Sequence, residues 1–479
     1  MTMFKLKINK YAIPLGLCLA VISCKAPDIK PVTSNAALPE AFASSKDTAT
    51  LATLQWHTFF KDKNLVDLID VAIQNNQELA ITLQDIEIAR NDIRVRKGAL
   101  LPTVGLGAGA GVEKVGQYTS QGAGDSSADI TPGNRVPEAL QDYKLAAYAH
   151  WEVDIWKKLR NSKKAAISRY LATVEGKNFV ITNLIAEIAS SYYELLAYDN
   201  QLDIVKQSIE IQKNALEIVK IQKEAARATE LAVQKFEAEV FTSRSMEFDI
   251  LQKIKETENK INFLLARYPQ EIKRDRSSLV TALPSQLKAG IPAQLLANRP
   301  DIKQAELELE AAKLDVKVAR AEFYPSLDIS ASVGWNAFKS SYLFKTPESL
   351  LYSLAGDVAA PLINRNAIKA EFKSANSRQL QALYNYERTI LNAYIEVVNQ
   401  LSKVDNLQKS FNLKTQQVGA LDRSISVSND LFKSARVDYF EVLMTQRDAL
   451  ESKLELVDTQ KELINASVYV YRDLGGGWK

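Results

Sequence analysis

The sequence predicts an α+β membrane tube in which long helices run into short two-faced strands, built twice along one chain. Three observations predict it. Apolar and polar residues alternate strictly after Pro102 and again after Pro325. Long proline-free stretches carry apolar residues at a sustained spacing of seven. Landmarks of the first half recur in the second at a nearly constant offset.

The N-terminus comes first. Lys5, Lys7 and Lys10 precede the short apolar run "YAIPLGLCLAVIS", and Val21-Ile22-Ser23-Cys24 follows. That order of basic, apolar and small residues reads as a signal peptide over residues 1–23, too short to span a bilayer. Its end resembles a bacterial lipobox, which makes Cys24 the expected lipidation site. Residues 24–60 are expected to form an acylated tether, with "KAPDIKPV" kept extended by its prolines. Removing residues 1–23 takes away three lysines and no acids, leaving 57 basic and 57 acidic side chains. This balance offers nothing to nucleic acid. It also removes Cys18, so no disulfide is available and packing alone must hold the exported fold.

The two copies are then assigned to residues 61–268 and 299–479, with an equatorial segment at 269–298. Placing Pro102 on Pro325 puts Ala89, Asp92 and Val95 on Ala312, Asp315 and Val318. Further along, "ARATELAV" (226–233) matches "ARVDYFEV" (435–442). The first copy is longer because of a Gly- and Ser-rich insertion at 113–143, read as a loop. Each copy begins with a helix, about 75–101 and 300–324, that ends at its proline. Two alternating strands follow, at 103–112 and 143–155, then at 326–335 and 350–360. Long helices come next. Ile181, Ile188, Leu195, Leu202, Ile209 and Leu216 are seven apart, as are Ile390, Val397, Val404, Phe411, Val418, Ile425 and Phe432. A second seam at Ile204, Ile211 and Ile218 suggests neighbours on both sides, as in a ring of supercoiling helices. A single helix over 157–225 would be ~100 Å long, and a return helix over 231–266 about half that.

Four strands cannot close a barrel, and the smallest bacterial barrels have about eight. Three chains would supply twelve. Leu327, Ile329, Val333 and Trp335 would then face lipid, with Ser, Asp, Gly and Asn lining water. At this point the chain resembles the TolC-like outer-membrane efflux proteins, of the lipoprotein branch that includes OprM. The resemblance covers essentially the whole mature chain. It rests on the lipobox, "WHTFFKDKNLVDLIDVAIQNN", "WEVDIWKKLRNSKKAA", "LLANRPDIKQAELELEAAKLDVKVARAEFYPS", "YFEVLMTQRDAL" and "YRDLGGGW". It implies a homotrimer in the outer membrane of a Gram-negative bacterium, with a twelve-stranded transmembrane β-barrel continuous with a twelve-helix periplasmic α-barrel. It also implies partners: a periplasmic adaptor and an inner-membrane transporter, of the RND type, for drugs, metal ions or other small solutes. A type I protein-secretion duct and a periplasmic scaffold lipoprotein without a pore are the alternatives.

By the same resemblance, two turns form the periplasmic tip where an adaptor docks. They hold Ala226, Arg227, Thr229, Leu231 and Val233, and Ala435, Arg436, Asp438, Phe440 and Val442. The family usually has glycine at positions 226 and 435, so the alanines put the turn shape in question. Glu441 matches an acidic position of the aperture gate, whereas Met444 stands where relatives often have a second acid. A ring of three Glu441 carboxylates would favour cations. Pro102 and Pro325 mark the helix–barrel junction. Arg299-Pro300-Asp301 is read as structural, with the proline and the acid in the first turn of a helix. The two histidines, His57 and His150, assemble with nothing into a catalytic or metal constellation, so no enzyme activity, cofactor or metal is expected.

Overall fold

The computed structural model describes residues 26–29, 34, 38–42, 49–276, 278–281, 288–361, 365–434 and 436–478. In chain order the elements are α1 (Trp56–Phe59), α2 (Lys63–Asn75), α3 (Gln77–Gly98), β1 (Thr103–Glu113), α4 (Ser120–Asp125), β2 (Asp129–Thr131), β3 (Asn134–Arg135) and β4 (Leu140–Glu152). Then come α5 (Lys158–Glu224), α6 (Glu230–Leu264), α7 (Ser278–Thr281), α8 (Gln294–Asn298), α9 (Pro300–Ala321), β5 (Ser326–Ala337), β6 (Leu350–Ala359), α10 (Asn366–Lys433) and α11 (Tyr439–Asp473). The second half repeats the order and lengths of the first. Helices α3 and α9 have 22 residues each, α5 and α10 have 67 and 68, and α6 and α11 have 35 each. No helix among the described residues is long and apolar enough to cross a membrane.

The chain divides into two compact units. The first comprises residues 1–33, 88–170 and 307–383. Its centre is an antiparallel four-stranded sheet in the order β1-β4-β5-β6. Packed beside it, Val316, Ala319, Phe323, Phe372 and Ala375 form a small core, on which Ala26 and Ile29 also rest. The expected loop at 113–143 is partly structured. Thr119 accepts a hydrogen bond from the Gly122 N–H and caps α4, and β2 and β3 pair as a hairpin. Strand β4 therefore starts at Leu140. It ends at Glu152 rather than 155, because the Asp154 carboxylate turns to the start of α5. There it accepts bonds from the Leu159 and Arg160 N–H groups at 2.9 and 3.0 Å and from the Arg160 guanidinium at 2.8 Å. Burial opposes ionisation of Asp154, but these donors outweigh it and hold the carboxyl below its usual range.

The second unit comprises residues 34–87, 171–306 and 384–479. Its core draws on α2, α5, α6 and α11, around Leu65, Ile69, Ile188, Tyr192, Leu195, Ile261 and Ile464. The heptad seam of α5 is part of it: Ile188, Leu195, Leu202 and Ile209 are buried, and Ile181 and Ile204 lie against them. Ile211 and Ile218 of the second seam are exposed. In α10, Ile390 and Val397 are buried, while the positions from Val404 to Phe432 are half-covered.

The helix expected at about 75–101 is α3, and a helix that the sequence reading did not place, α2, precedes it and ends at Asn76. That side chain accepts from the Leu79 N–H and donates to the Leu264 carbonyl, so it caps α3 and ties it to the end of α6. Part of the tether expected at 24–60 is packed among the described residues. Phe42, Ala52, Trp56 and Phe60 are buried, since aromatic rings of that size gain more from the core than an extended linker could.

The segment at 269–298 contributes a buried charge cluster. The Arg274 guanidinium grips Asp199 of α5 at 2.5 and 3.0 Å and Glu258 of α6 at 2.7 Å, with all three side chains nearly sealed from solvent. It joins the long helix to its return helix. Replacing Arg274 by methionine leaves the buried Asp199 and Glu258 carboxylates to the more distant Arg276, at 3.9 Å, and Lys255, at 3.7 Å, which costs roughly 3 kcal/mol; a urea or thermal unfolding series on the helical signal checks it, and an unchanged midpoint would refute it.

Candidate functional site

The strand register assembles one continuous apolar face. Leu106 faces Ala147, which faces Val333, which faces Tyr352. Val104, Ala149, Ala331 and Leu354 form the next row, and Ala108, Leu145, Trp335 and Leu350 another. This face is bare: Leu106 is 85% exposed and Leu354 80%. Lengths of 11, 13, 12 and 10 residues suit strands that cross a bilayer at a tilt. The opposite face is polar and internally bonded. Ser332 and Ser353 share a hydrogen bond of 2.7 Å, and Asn336 donates to Asp142 at 2.6 Å. His150 lies 3.7 Å from Asp328 on this face, while His57 lies beside Asp70, so each histidine has one carboxylate neighbour.

Pro102 and Pro325 stand where the sequence reading puts them, between α3 and β1 and between α9 and β5. The structure adds two tryptophans there that the reading missed. Trp151 donates to the Leu100 carbonyl at 3.2 Å, and Trp156 donates to the Pro325 carbonyl at 2.7 Å while stacking on Tyr324. Both carbonyls lie in the short links between helix and strand, so each tryptophan ties down one link.

The helix turns lie in the second unit. At the first, the Ala226 N–H bonds to the Lys223 carbonyl at 2.9 Å and the Arg227 N–H to the Gln222 carbonyl at 2.7 Å. This pair of bonds is the Schellman closure, and it places Ala226 in the left-handed region at φ 55. So alanine takes the conformation for which glycine was expected. Thr229 then caps α6 by accepting from the Ala232 N–H. Lys223 and Glu230 pair across the turn. At the second turn, the Arg436 N–H bonds to the Leu431 carbonyl at 2.9 Å, the same six-residue closure. Ala435 and Cys24 lie outside the described residues.

Why alanine suffices at one turn shows at another. Gly475 ends α11 with the same closure, at φ 89. A Cβ there would come within 2.6 Å of the Asn298 carbonyl carbon and oxygen. Around Ala226 the residue is exposed and nothing crowds it. Gly475 belongs to a clasp between two motifs far apart in sequence. Arg299 holds Asp301 with two bonds, at 3.0 and 2.7 Å, and donates to the Asp473 carbonyl at 2.9 Å, and Trp478 donates to the Asn298 carbonyl. Pro300 opens α9, as its residue type requires. Burial pushes the Asp473 carboxyl up, against the pull of Arg472.

Of the proposed docking side chains, Leu231 is 59% exposed and Phe440 47%, with the Lys235 ammonium 5.3 Å from the Phe440 ring centre. Arg227, Thr229, Arg436 and Asp438 are exposed as well. Val233 and Val442 are buried. Val233 sits with Leu216, Phe236 and Leu443 in a cluster that fastens the turns from below. Glu441 is exposed in the first turn of α11, and Met444 is half-covered one turn on.

A family model described as outer membrane efflux protein matches residues 68–267 and 291–476. The chain is 26% identical over 467 residues to the solvent efflux pump outer membrane protein SrpC of Pseudomonas putida, covering 97% of this chain and 96% of that one. It is 26% identical over 480 residues to the cation efflux system protein CusC of Escherichia coli O6:H1, covering 98% of each. Among solved structures it is similar to a membrane protein of Pseudomonas aeruginosa, at a TM-score of 0.84, 24% identity and coverage of 94% and 99%. It is also similar to the outer-membrane channel OprN, at 0.81, 24% identity and coverage of 95% and 99%. These structures share its fold.

The turn geometry makes two opposite predictions. Ala226→Gly relieves left-handed strain and should stabilise the chain by about 1 kcal/mol. Gly475→Ala adds a clash to the strain and should cost about 2 kcal/mol or more. Denaturation midpoints of the two variants, measured side by side, check both signs.

Proposed function

The chain belongs to the outer membrane efflux protein family, and we propose on that premise that three copies close a twelve-stranded barrel through which solutes leave the cell. It is an outer-membrane efflux component; the trimer, the strand count and the duplication of an ancestral half are our reading. One observation carries it. The sheet has an exposed apolar face, a polar opposite face and two unpaired edges, β1 and β6. In hydrocarbon such edges must pair, and copies of the same sheet are the partners at hand. The exposed second seam of α5 supports neighbours of the same kind around the helices. The repeated element lengths support the duplication.

In this reading Cys24 carries lipid, and the exposed turns meet a periplasmic adaptor that links the duct to an inner-membrane transporter of the RND type. Leu231 and Phe440 are the apolar anchors of that contact, and Val233 and Val442 hold the turns from within. The duct conducts and does not catalyse. The relatives' names span solvents, pyoverdine and cations. That spread supports a passive exit whose cargo is set by the transporter.

Placing a carboxylate at Leu231 or Phe440 should remove a hot-spot contact worth ~2 kcal/mol or more, ~30-fold in adaptor affinity. Pump-dependent resistance should fall while heat-resistant trimers persist in outer-membrane fractions; full resistance would refute docking there. Glu441→Gln should lower cation selectivity in planar bilayers. Unchanged selectivity would remove Glu441 from the aperture.

A further inference from the structure

The connection between β5 and β6 lies at the strand ends away from Pro102 and Pro325, and its side chains are arranged for something other than turning the chain. Phe338 packs edge-on against Tyr342, at 5.5 Å between ring centres. The Lys345 ammonium stands 4.5 Å from the Tyr342 ring centre and that of Lys339 stands 5.7 Å from it. One ring therefore gathers two cations. Neither ammonium has a carboxylate partner among the described residues, although Glu348 is in the same connection. Two exposed like charges thus meet at one ring, with no ion pair to a carboxylate among the described residues, and an anion placed between them would relieve their repulsion.

The same connection is also greasy on one side. Phe344 is 66% exposed and packs edge-on against Trp335, which in turn donates to the Thr346 hydroxyl at 3.3 Å. Trp335 belongs to the bare apolar face of the sheet, in the row of Leu145 and Leu350. So the cationic pair begins where the apolar face ends. A water-soluble anion would need only the lysines. An amphiphile with a charged head and acyl tails would satisfy the lysines and cover Phe344 and Trp335 together.

We propose that Lys339 and Lys345, gathered on Tyr342 beside Phe344 and Trp335, bind the phosphate-bearing headgroup of an anionic outer-leaflet lipid. The inference rests on the reading that the apolar strand face meets the bilayer, with the helices on the periplasmic side. Head and tails then fall on the two parts of one patch, and the lipid fixes the depth at which the sheet rides.

The full chain, reconstituted in phosphatidylcholine vesicles, tests this through Trp335. Its fluorescence is isolated by difference from Trp335→Phe, and either brominated phosphatidylcholine or brominated phosphatidic acid is titrated in as the quencher. Quenching by the phosphatidic acid should reflect a relative affinity about tenfold above that of phosphatidylcholine. The Lys339→Gln/Lys345→Gln double variant should lose that preference, and the Lys339→Arg/Lys345→Arg variant should keep it. An equal preference in the wild type and the glutamine variant overturns the proposal. Loss of the preference on adding inorganic phosphate overturns it in favour of a free-phosphate site. No quenching by phosphatidylcholine in the wild type would instead refute the bilayer placement of the strands, a result distinct from losing only the anionic preference.

Discussion

A strand in hydrocarbon must find partners for every N–H and C=O, because no water is there to take them. That constraint organises the first unit. It explains why the strands are antiparallel neighbours, why they are of bilayer length, and why the alternation must hold without a break across four of them. A single slip of register would turn every lipid-facing side chain to the polar face. The registers between the four strands run unbroken, so Leu106, Ala147, Val333 and Tyr352 stay in one row. The constraint also sets the demand that one chain cannot meet, since β1 and β6 each leave an edge unpaired. The closure by further copies proposed above would meet that demand through the backbone alone.

The helices answer to a different solvent and so to different rules. Their seams bury against one another in water, and their ends must be finished by local closures. Three helix ends, after α5, α6 and α11, use the same pair of Schellman bonds, and the end of α10 shows its longer bond. Two of them place an alanine, Ala226 and Ala266, at positive φ. The left-handed cost at each is of order 1–2 kcal/mol, small beside the packing of a 35-residue return helix. Where the position is crowded, as at Gly475 against Asn298, only the residue without a Cβ will do. The residue type at a turn is thus decided by its neighbours as much as by its dihedral angle.

This is also where the sequence stopped being legible. Period-two alternation and the two prolines located the four strands to within a few residues, because the face of a strand is written in every second position. The long helices were legible from their spacing by sevens. Helix α2 was not read, nor was the tie from Asn76 to the Leu264 carbonyl, which another helix contributes. Nor was Arg274, whose partners Asp199 and Glu258 lie 75 and 16 residues away and follow no period. The resemblance to a family raised a doubt about Ala226 that the geometry removed. The docking set inferred from the same resemblance mixed two kinds of residue. Leu231 and Phe440 are surface, whereas Val233 and Val442, two positions further along each helix, are core.

That last distinction bears on the docking proposed at the turns. Each turn carries one exposed apolar residue, with a buried valine two positions on. The buried member is held by the chain's own cluster of Leu216, Phe236 and Leu443 around Val233. The exposed member is left on a fastened scaffold, so a partner that covers it need not first order the loop, and the entropy of fixing the turn is spent on folding instead of on binding. Thr229 caps α6 by accepting from the Ala232 N–H, whereas Asp438 stands at the start of α11 without a side-chain cap bond. The turn at Ala226 shows that a residue with a Cβ can hold the closure bonds at positive φ. In the proposed docking, recognition would rest on Leu231 and Phe440, which the fold leaves exposed.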